Sequence, residues 1–546
     1  VIGAGPAGLA ALKELKDRGH DVTAFEARPS LGGVFARQYR DLQLTTSNLI
    51  TSFGSHSDGA EHDPVVWTGG EYLAYLNGYA RHFDLCRDIH FSTRVESIRR
   101  HDATGKWLLR AAPSPAADPS RPDRRPAGEG WGEILGREAL PAGGAELELD
   151  HVAICSGMNM LPSAPAWPGK ERFRGQILNA ADFWVPEEFA GKRVLVVGLG
   201  ESGSDITLLI AAAAKASAVS TRQGPGYVIP RYAGGRPTDL DTNRCYHSIP
   251  RRLAGKPLVR FKTRIEDLFL GPEDDRGVLR QAAEINRRRG YSPFHRFATK
   301  NTSFVKAMLY HGTELRAEIA RLEEDRVVFV DHSSFQCDVI IVCTGYRFTF
   351  PFLARTHPEL MAAASNPRAL YKHMIDPGIG LGLAWIGFVR PGLGSIPACA
   401  EMQARYLALL LSGERRLPSP DEMERDTGAQ SALDLEQFPA DAQRLRALTD
   451  YLRFIEGMAR QIGCRPPLMR LFFTEPRTWI KMVFGPLAAA QFRFAGPGAE
   501  PERVREVLSR LPMMPWPVLA YELMLLCGAK LAYLLTREPS FEPIGF

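Results

Sequence analysis

Two stretches of this sequence have the residue types and spacing to hold a dinucleotide. GAGPAG begins at Gly3 and GLGESG at Gly198, each between a short apolar strand and a helix-forming run. In the first, Gly3 permits the tight bend, Gly5 lets the backbone approach a diphosphate, and Gly8 lets helix and strand pack closely. The helix N-terminus that follows offers N–H groups to the phosphates. A lone GxGxxG is weak evidence. Here the helical LAALKELKDRG, a second strand DVTAFEA and the acidic Glu26 complete the unit. Glu26 can accept hydrogen bonds from ribose hydroxyls, and its charge repels a 2′-phosphate. The alternative is a plain surface glutamate.

In the second unit VLVV supplies the strand, and Gly198, Gly200 and Gly203 repeat the spacing. Ser202 is small enough to leave room for phosphate and can donate to it. The next strand, SAVST, ends at Thr221 and runs into Arg222 instead of an acid. An arginine there can grip a 2′-phosphate, and Arg231 of YVIPR is a candidate second cation. A surface role for Arg222 is the competing reading. Opposite charge at the two ribose positions predicts a bare adenosine at the first turn and a phosphorylated one at the second. FAD first and NADPH second satisfy both.

The elements that must position these turns are legible along the chain. Leu9, Leu12 and Leu15 form a helical apolar stripe behind the first turn. From Ala111 to about Gly144 the sequence shifts to Pro, Asp, Arg and Gly, which cannot bury much apolar surface, so a loop or insertion is expected. ELELDHVAICSG then reads as a strand ending at Gly157. The phrase D-x-x-x-x-C-[ST]-G occurs at Asp150–Gly157 and again at Asp338–Gly345. The two copies bracket the second glycine turn, as if leaving one domain and returning to it. The expected organisation is a first domain over 1–165, an inserted second domain over 166–332, a return segment over 333–410 and a mainly helical extension over 411–546. The fold class is α/β, with two Rossmann-like domains.

Composition narrows the function classes. The 546 residues, 45% apolar and 24% charged, suffice for two or three domains of about 100–200 residues. A net charge of +5, with basic residues dispersed, gives no nucleic-acid footprint. NRRRGYSPFHR, the densest basic run, reads as a solvated face. Eight cysteines occur singly without CxxC spacing, so neither a redox pair nor a metal site is indicated, and a reducing cytoplasmic setting is expected. No signal peptide is legible. Val1 already lies in the first strand, so a trimmed N-terminus is left open. PVLAYELMLLCGAKLAYLL carries Glu522 and Lys530, which favours a buried or membrane-surface helix over a span.

At this point the motifs together resemble the class B flavin monooxygenases, most closely the flavin-containing monooxygenase branch. ARPSLGGVF resembles the family's GGxW flavin loop, with Gly33 in register and Phe35 in place of tryptophan. LTTSNLITSFGSHSD resembles its TN-containing segment, and CTGYRFTFPFL its ATGY region. ALYKHMI, the EMQAR stretch at Glu401 and FGPLAAAQFRFAGPG resemble its C-terminal half. FRGQILNAADF keeps Phe173, Gly175 and Phe183 of the family fingerprint but has Asn179 where the family has histidine.

The resemblance implies FAD, NADPH, O₂ and a small organic substrate. It implies hydride transfer to the flavin, a C4a-hydroperoxide, and retained NADP⁺ as its shield. It makes Asn48 the candidate catalytic residue, hydrogen-bonded to the flavin or its peroxide; a turn-stabilising Asn48 is the alternative. It sets Thr344 and Gly345 beside nicotinamide and flavin, or at the hinge between domains. Phe183 followed by Trp184 and Val185 favours oxygenation at nitrogen or sulfur. Baeyer–Villiger chemistry, an oxidase or reductase without oxygen insertion, and a non-catalytic relative stand as alternatives. Peripheral membrane contact and homo-oligomerisation are both left open.

Overall fold

The computed structural model describes residues 1–57, 63–101, 103–115, 136–137, 140–249, 277–290 and 297–537. Much of the expected loop over 111–144, part of the basic run and the last nine residues lie outside them. Two parallel sheets dominate. In the first, Ile2 bridges Phe25 on one side and Ile154 on the other. Outside them lie Ile89–His90, paired with Ala24–Phe25, and Leu383–Trp385, paired with Val152–Ile154. In the second, Arg193–Val197 lies between Ala216–Ser220 and Val339–Val342, flanked by Glu314–Arg316 and Gln176–Asn179. Val194, Leu195 and Val196 are fully buried, because helices or meanders cover both faces of a parallel sheet.

Each parallel sheet carries an antiparallel meander at the same place in its chain order. Thr93–Arg100, Trp107–Pro113 and Ala145–Leu149 form one. Ile319–Leu322, Arg326–Phe329 and Ser334–Gln336 form the other. The expected loop therefore begins later than Ala111, since that strand runs to Pro113. ELELDHVAIC is two strands, alternating Ala145–Leu149 and apolar Val152–Ile154, broken at Asp150.

The two D-x-x-x-x-C-[ST]-G phrases correct the expected boundary. The first supplies the strand beside Ile2. The second supplies Val339–Val342, paired with Arg193–Val197 of the second sheet. The chain therefore leaves the second sheet after Val342, not at 333. A short antiparallel ribbon, Leu161–Pro162 with Tyr346–Arg347, joins the outgoing and returning strands.

Helix Ile396–Leu411 packs on Pro6–Asp17, behind the first turn. Between them lies a buried ion cluster. Arg493, from the FGPLAAAQFRFAGPG phrase, donates to Glu14 and, at 2.8 Å, to Glu401. Glu401 also accepts from the N–H groups of Gly54 and Ser55 at 2.6 and 3.0 Å. The remaining tail is helical, ending in Trp516–Thr536, which buries Val518, Leu519, Glu522, Leu526 and Ala529 along one face.

Candidate functional site

At the first turn Gly3 adopts φ 102° and its N–H donates to the Phe25 carbonyl at 2.8 Å. A Cβ on Gly3 would stand 2.8 Å from the Cys155 carbonyl oxygen, and one on Gly8 would overlap the Gly3 carbonyl. Gly5 caps helix Pro6–Asp17 and lies back to back with Gly33, where a Cβ would meet Gly5 Cα at 3.1 Å. The GGVF loop thus runs along the turn, and the Phe35 ring stands edge-on to Tyr72 at 4.7 Å. Glu26 is no surface glutamate. It is buried, with Oε2 accepting from Ala4 N–H at 2.7 Å and Oε1 from Arg28 N–H at 3.0 Å.

At the second turn Gly198 has φ 104°, and a Cβ there would stand 2.6 Å from the Cys343 carbonyl oxygen. A Cβ on Gly203 would overlap the Gly198 carbonyl, while one on Gly200 would meet nothing within 4 Å. Open space therefore faces the capping glycine of helix Glu201–Ala213, with Ser202 half-buried in its first turn. Thr221 N–H donates to the Arg316 carbonyl at 3.2 Å. Arg222 projects into solvent with no partner among the described residues. Beside it Arg289 donates to the Gln223 carbonyl. Arg289 belongs to the basic run that begins at Asn286, and Arg287, Arg288 and Arg289 are all exposed.

Arg231 does not reach this pocket. Its guanidinium is buried and makes a bidentate pair with Asp205 at 2.9 and 2.8 Å, while also donating to the carbonyls of Leu44 and Gln43. Asp205 further accepts from Tyr39 Oη at 3.1 Å, Asn301 Nδ2 at 2.8 Å and Ser303 Oγ at 3.1 Å. A carboxylate this deep needs a paired cation, so it claims the nearest guanidinium. The hub ties strand Gln43–Ser47 to the helix of the second turn. Burial first, then Asp205, pushes the Tyr39 hydroxyl well above its usual range.

Asn48 is fully buried, and its amide is committed locally. Oδ1 accepts from Leu49 N–H and Val65 N–H, both at 3.0 Å, and Nδ2 donates to the Asp63 carbonyl at 3.2 Å. These bonds tie the turn at Leu49 to the segment 63–65. Thr344 Oγ1 donates to the Ser163 carbonyl at 2.6 Å, and Ser163 N–H to the Gly345 carbonyl at 2.9 Å. Both residues therefore lie between strand Val339–Val342 and the ribbon where the chain crosses between sheets. Asn179 ends an edge strand, half-buried opposite Val342.

Sequence reading missed one group between the two turns. Ser47 N–H donates to Asp239 Oδ2 at 2.5 Å, and Lys300 Nζ lies 3.7 Å from the same oxygen. Lys300 N–H donates to Glu201 Oε1 at 2.7 Å. Burial pushes the Glu201 carboxyl up to about 7, with Arg231 opposing. Burial also lowers the Lys300 ammonium, against Asp239 and Glu201. The one signal in the sequence was a charged residue inside GLGESG.

Comparison with known proteins defines the class. The flavin-binding monooxygenase-like family model matches residues 144–512, and an NAD(P)-binding Rossmann-like model matches residues 1–56. The chain belongs to the flavin-binding monooxygenase-like family. It is 33% identical to a decarboxylating 4-hydroxybenzoate brominase of Pseudoalteromonas luteoviolacea, over 97% of this chain and 96% of that protein. It is 30% identical to an N-oxide-forming dimethylaniline monooxygenase 2 of Rattus norvegicus, over 91% and 88%. Among solved structures, a cyclohexanone monooxygenase aligns with TM-score 0.60 at 17% identity, over 84% of this chain and 96% of that one. The S-allyl-L-cysteine S-oxygenase of Allium sativum aligns with TM-score 0.56 at 21%, over 93% and 98%. These two likenesses show the fold.

The protein is thus a flavin monooxygenase that takes a flavin and an NAD(P) dinucleotide. Its residues fit both groups: one turn backed by Gly33 with an enclosed carboxylate, one open above Gly200 with exposed arginine.

Proposed function

We propose that this chain uses NADPH and O₂ to oxygenate a small soft nucleophile at nitrogen or sulfur, with FAD at the Gly3 turn and NADPH at the Gly198 turn. One observation carries the assignment: Glu26 is enclosed against Ala4 N–H, whereas Arg222 stands open beside Arg289. When bound, the flavin supplies activated oxygen drawn from O₂ with electrons from NADPH. The chain's own residues bind, orient and enclose.

Gly3, Gly5, Gly8 and Glu26 hold the first diphosphate and ribose, and Gly33 and Phe35 line that turn. Gly198, Gly200, Ser202 and Gly203 cradle the second diphosphate, and Thr221 and Arg222 take the 2′-phosphate. Asn48 acts as a positioning residue that orders residues 63–65. Thr344 and Gly345 act at the hinge. The Tyr39–Asp205–Arg231 hub keeps the space between the turns closed to water, as the oxygen chemistry requires.

The domains on this reading are 1–165, then an insertion from 166 that keeps strand Val339–Val342, then the return and the helical extension. Helix Trp516–Thr536 is long and apolar enough to cross a membrane, and 28% of its apolar window is buried. Trp516, Leu531 and Leu535 are exposed while Glu522 is fully buried, which favours contact with a membrane surface over a span.

A second reading, bromination of a phenolic acid, is favoured by the more extensive match to the brominase, over 97% of the chain against 91%. Bromide is then the soft nucleophile that accepts oxygen, and hypobromous acid brominates the ring as carbon dioxide leaves. Product mass separates the readings. The flavin-loaded protein is given NADPH and O₂ with N,N-dimethylaniline, a thioether, a ketone, or bromide plus 4-hydroxybenzoate. One oxygen added at nitrogen or sulfur supports the first reading, and a bromophenol the second. Hydrogen peroxide without product in every arm overturns both.

A further inference from the structure

Glu201 is the one charged residue within either glycine turn. It opens helix Glu201–Ala213 directly after Gly200, at the end where an anionic diphosphate would rest. Its Oε1 accepts from Lys300 N–H at 2.7 Å. Its Oε2 is closed off from solvent and has no partner among the described residues.

The charges around it come from several elements. Arg231 and Asp205 face it from the hub, and Arg390 from strand Arg390–Pro391. Lys300 stands beside it with Asp239 behind. Three cations and two other carboxylates therefore surround a carboxyl that burial pushes up to about 7. A negative charge arriving within a few ångströms raises a carboxyl further, because two like charges cannot both stay ionised cheaply in an enclosed space. In its neutral form the group gains an O–H donor, which gives the orphaned Oε2 a use against a phosphate oxygen.

We propose that Glu201 makes dinucleotide docking at the second glycine turn proton-linked: its carboxyl takes up one proton from solvent as the diphosphate arrives and returns it on release. This rests on the assignment of NADPH to that turn. The linkage sign follows from the two states. The bound complex holds the extra proton more firmly, so affinity falls as pH rises, by up to about tenfold per pH unit between the free and bound values.

The probe is NADP⁺, titrated by calorimetry into FAD-loaded protein across neutral pH, in paired buffers of different ionisation enthalpy. Wild type is expected to take up close to one proton and to weaken steeply above neutrality. Glu201→Gln keeps a donor but cannot titrate, so the Glu201 share of the uptake is expected to vanish and the fall of affinity with rising pH to be lost with it. An arginine gripping the 2′-phosphate favours the dianion and releases protons, which is the opposite sign and common to both proteins. Equal net proton counts in wild type and Glu201→Gln overturn the proposal, since the phosphate's release cancels in the difference. Equal slopes in wild type and Glu201→Gln, with flavin retained in both, also overturn it and leave the NADPH assignment standing. Failure of wild type to bind NADP⁺ at all removes that assignment and this inference together.

Discussion

The two glycine turns of this protein have the same backbone and different side chains. Their leading glycines sit at φ 102° and 104°, and each leans on a cysteine carbonyl, Cys155 or Cys343, at the end of a matching strand. The residues around them diverge. The first helix begins with Pro6 and the second with Glu201. Glu26 is enclosed at one ribose position, whereas Arg222 is exposed at the other. On the proposed assignment, backbone geometry holds a diphosphate at each turn and side-chain charge selects which dinucleotide carries it.

Breaking each turn separately has the largest expected effect. Gly3→Val and Gly198→Val each place a side chain against a backbone carbonyl in a left-handed conformation, with about 1–3 kcal/mol of strain before the overlap is counted. Gly3→Val is expected to be colourless. Gly198→Val is expected to stay yellow but resist anaerobic bleaching by NADPH. Loss of flavin from both would show that the turns are not independent.

The arginines sharpen the same contrast. Arg231→Met leaves Asp205 buried without its cation, at a cost of about 3–5 kcal/mol, read as a fall in urea midpoint. Arg222→Ala removes an exposed side chain, so stability should hold within about 0.5 kcal/mol. Its effect belongs to binding: loss of a charged hydrogen bond to the 2′-phosphate, about 1.5–3 kcal/mol, raises KM for NADPH roughly 10- to 100-fold. KM for NADH should be unchanged, and an equal rise in both would remove the 2′-phosphate role.

The smallest effect is a difference in sign with pH. On the first helix, burial raises Glu14, but Arg493, Lys13 and Arg405 outweigh it and hold the carboxyl down to about 2. Its contribution to stability is present above the unfolded value and lost as pH falls through about 2. On the second helix Glu201 is raised to about 7, so its contribution is present below the unfolded value and lost as pH rises through about 7. Chemical denaturation should find Glu14→Gln less stable than wild type at neutral pH. Glu201→Gln should gain on wild type as pH rises from about 4.5 to about 7, and a constant difference across that range would contradict the assignment.

Much of the fold was legible because it depends on neighbours in the chain. A glycine needed for a left-handed bend, an apolar strand before it and a helical stripe after it all act within about a dozen residues. The repeated D-x-x-x-x-C-[ST]-G phrase was visible too, but its meaning was not. Pairing places Val339–Val342 beside Arg193–Val197, and periodicity along one strand does not say which sheet it joins.

Side-chain partnership was the part that only folding could settle. Arg222 and Arg231 are nine positions apart and carry the same charge, yet one is solvated and the other is claimed by Asp205. Asn48 reads as a hydrogen-bonder to the flavin, and only folding shows that its amide also binds Leu49, Val65 and Asp63. Glu201 gains its surroundings only when Lys300 and Asp239 arrive from residues far along the chain. The physical reason is burial. Local sterics act on the chain wherever it lies, whereas a charge changes its partner and its proton affinity only when packing removes the water around it.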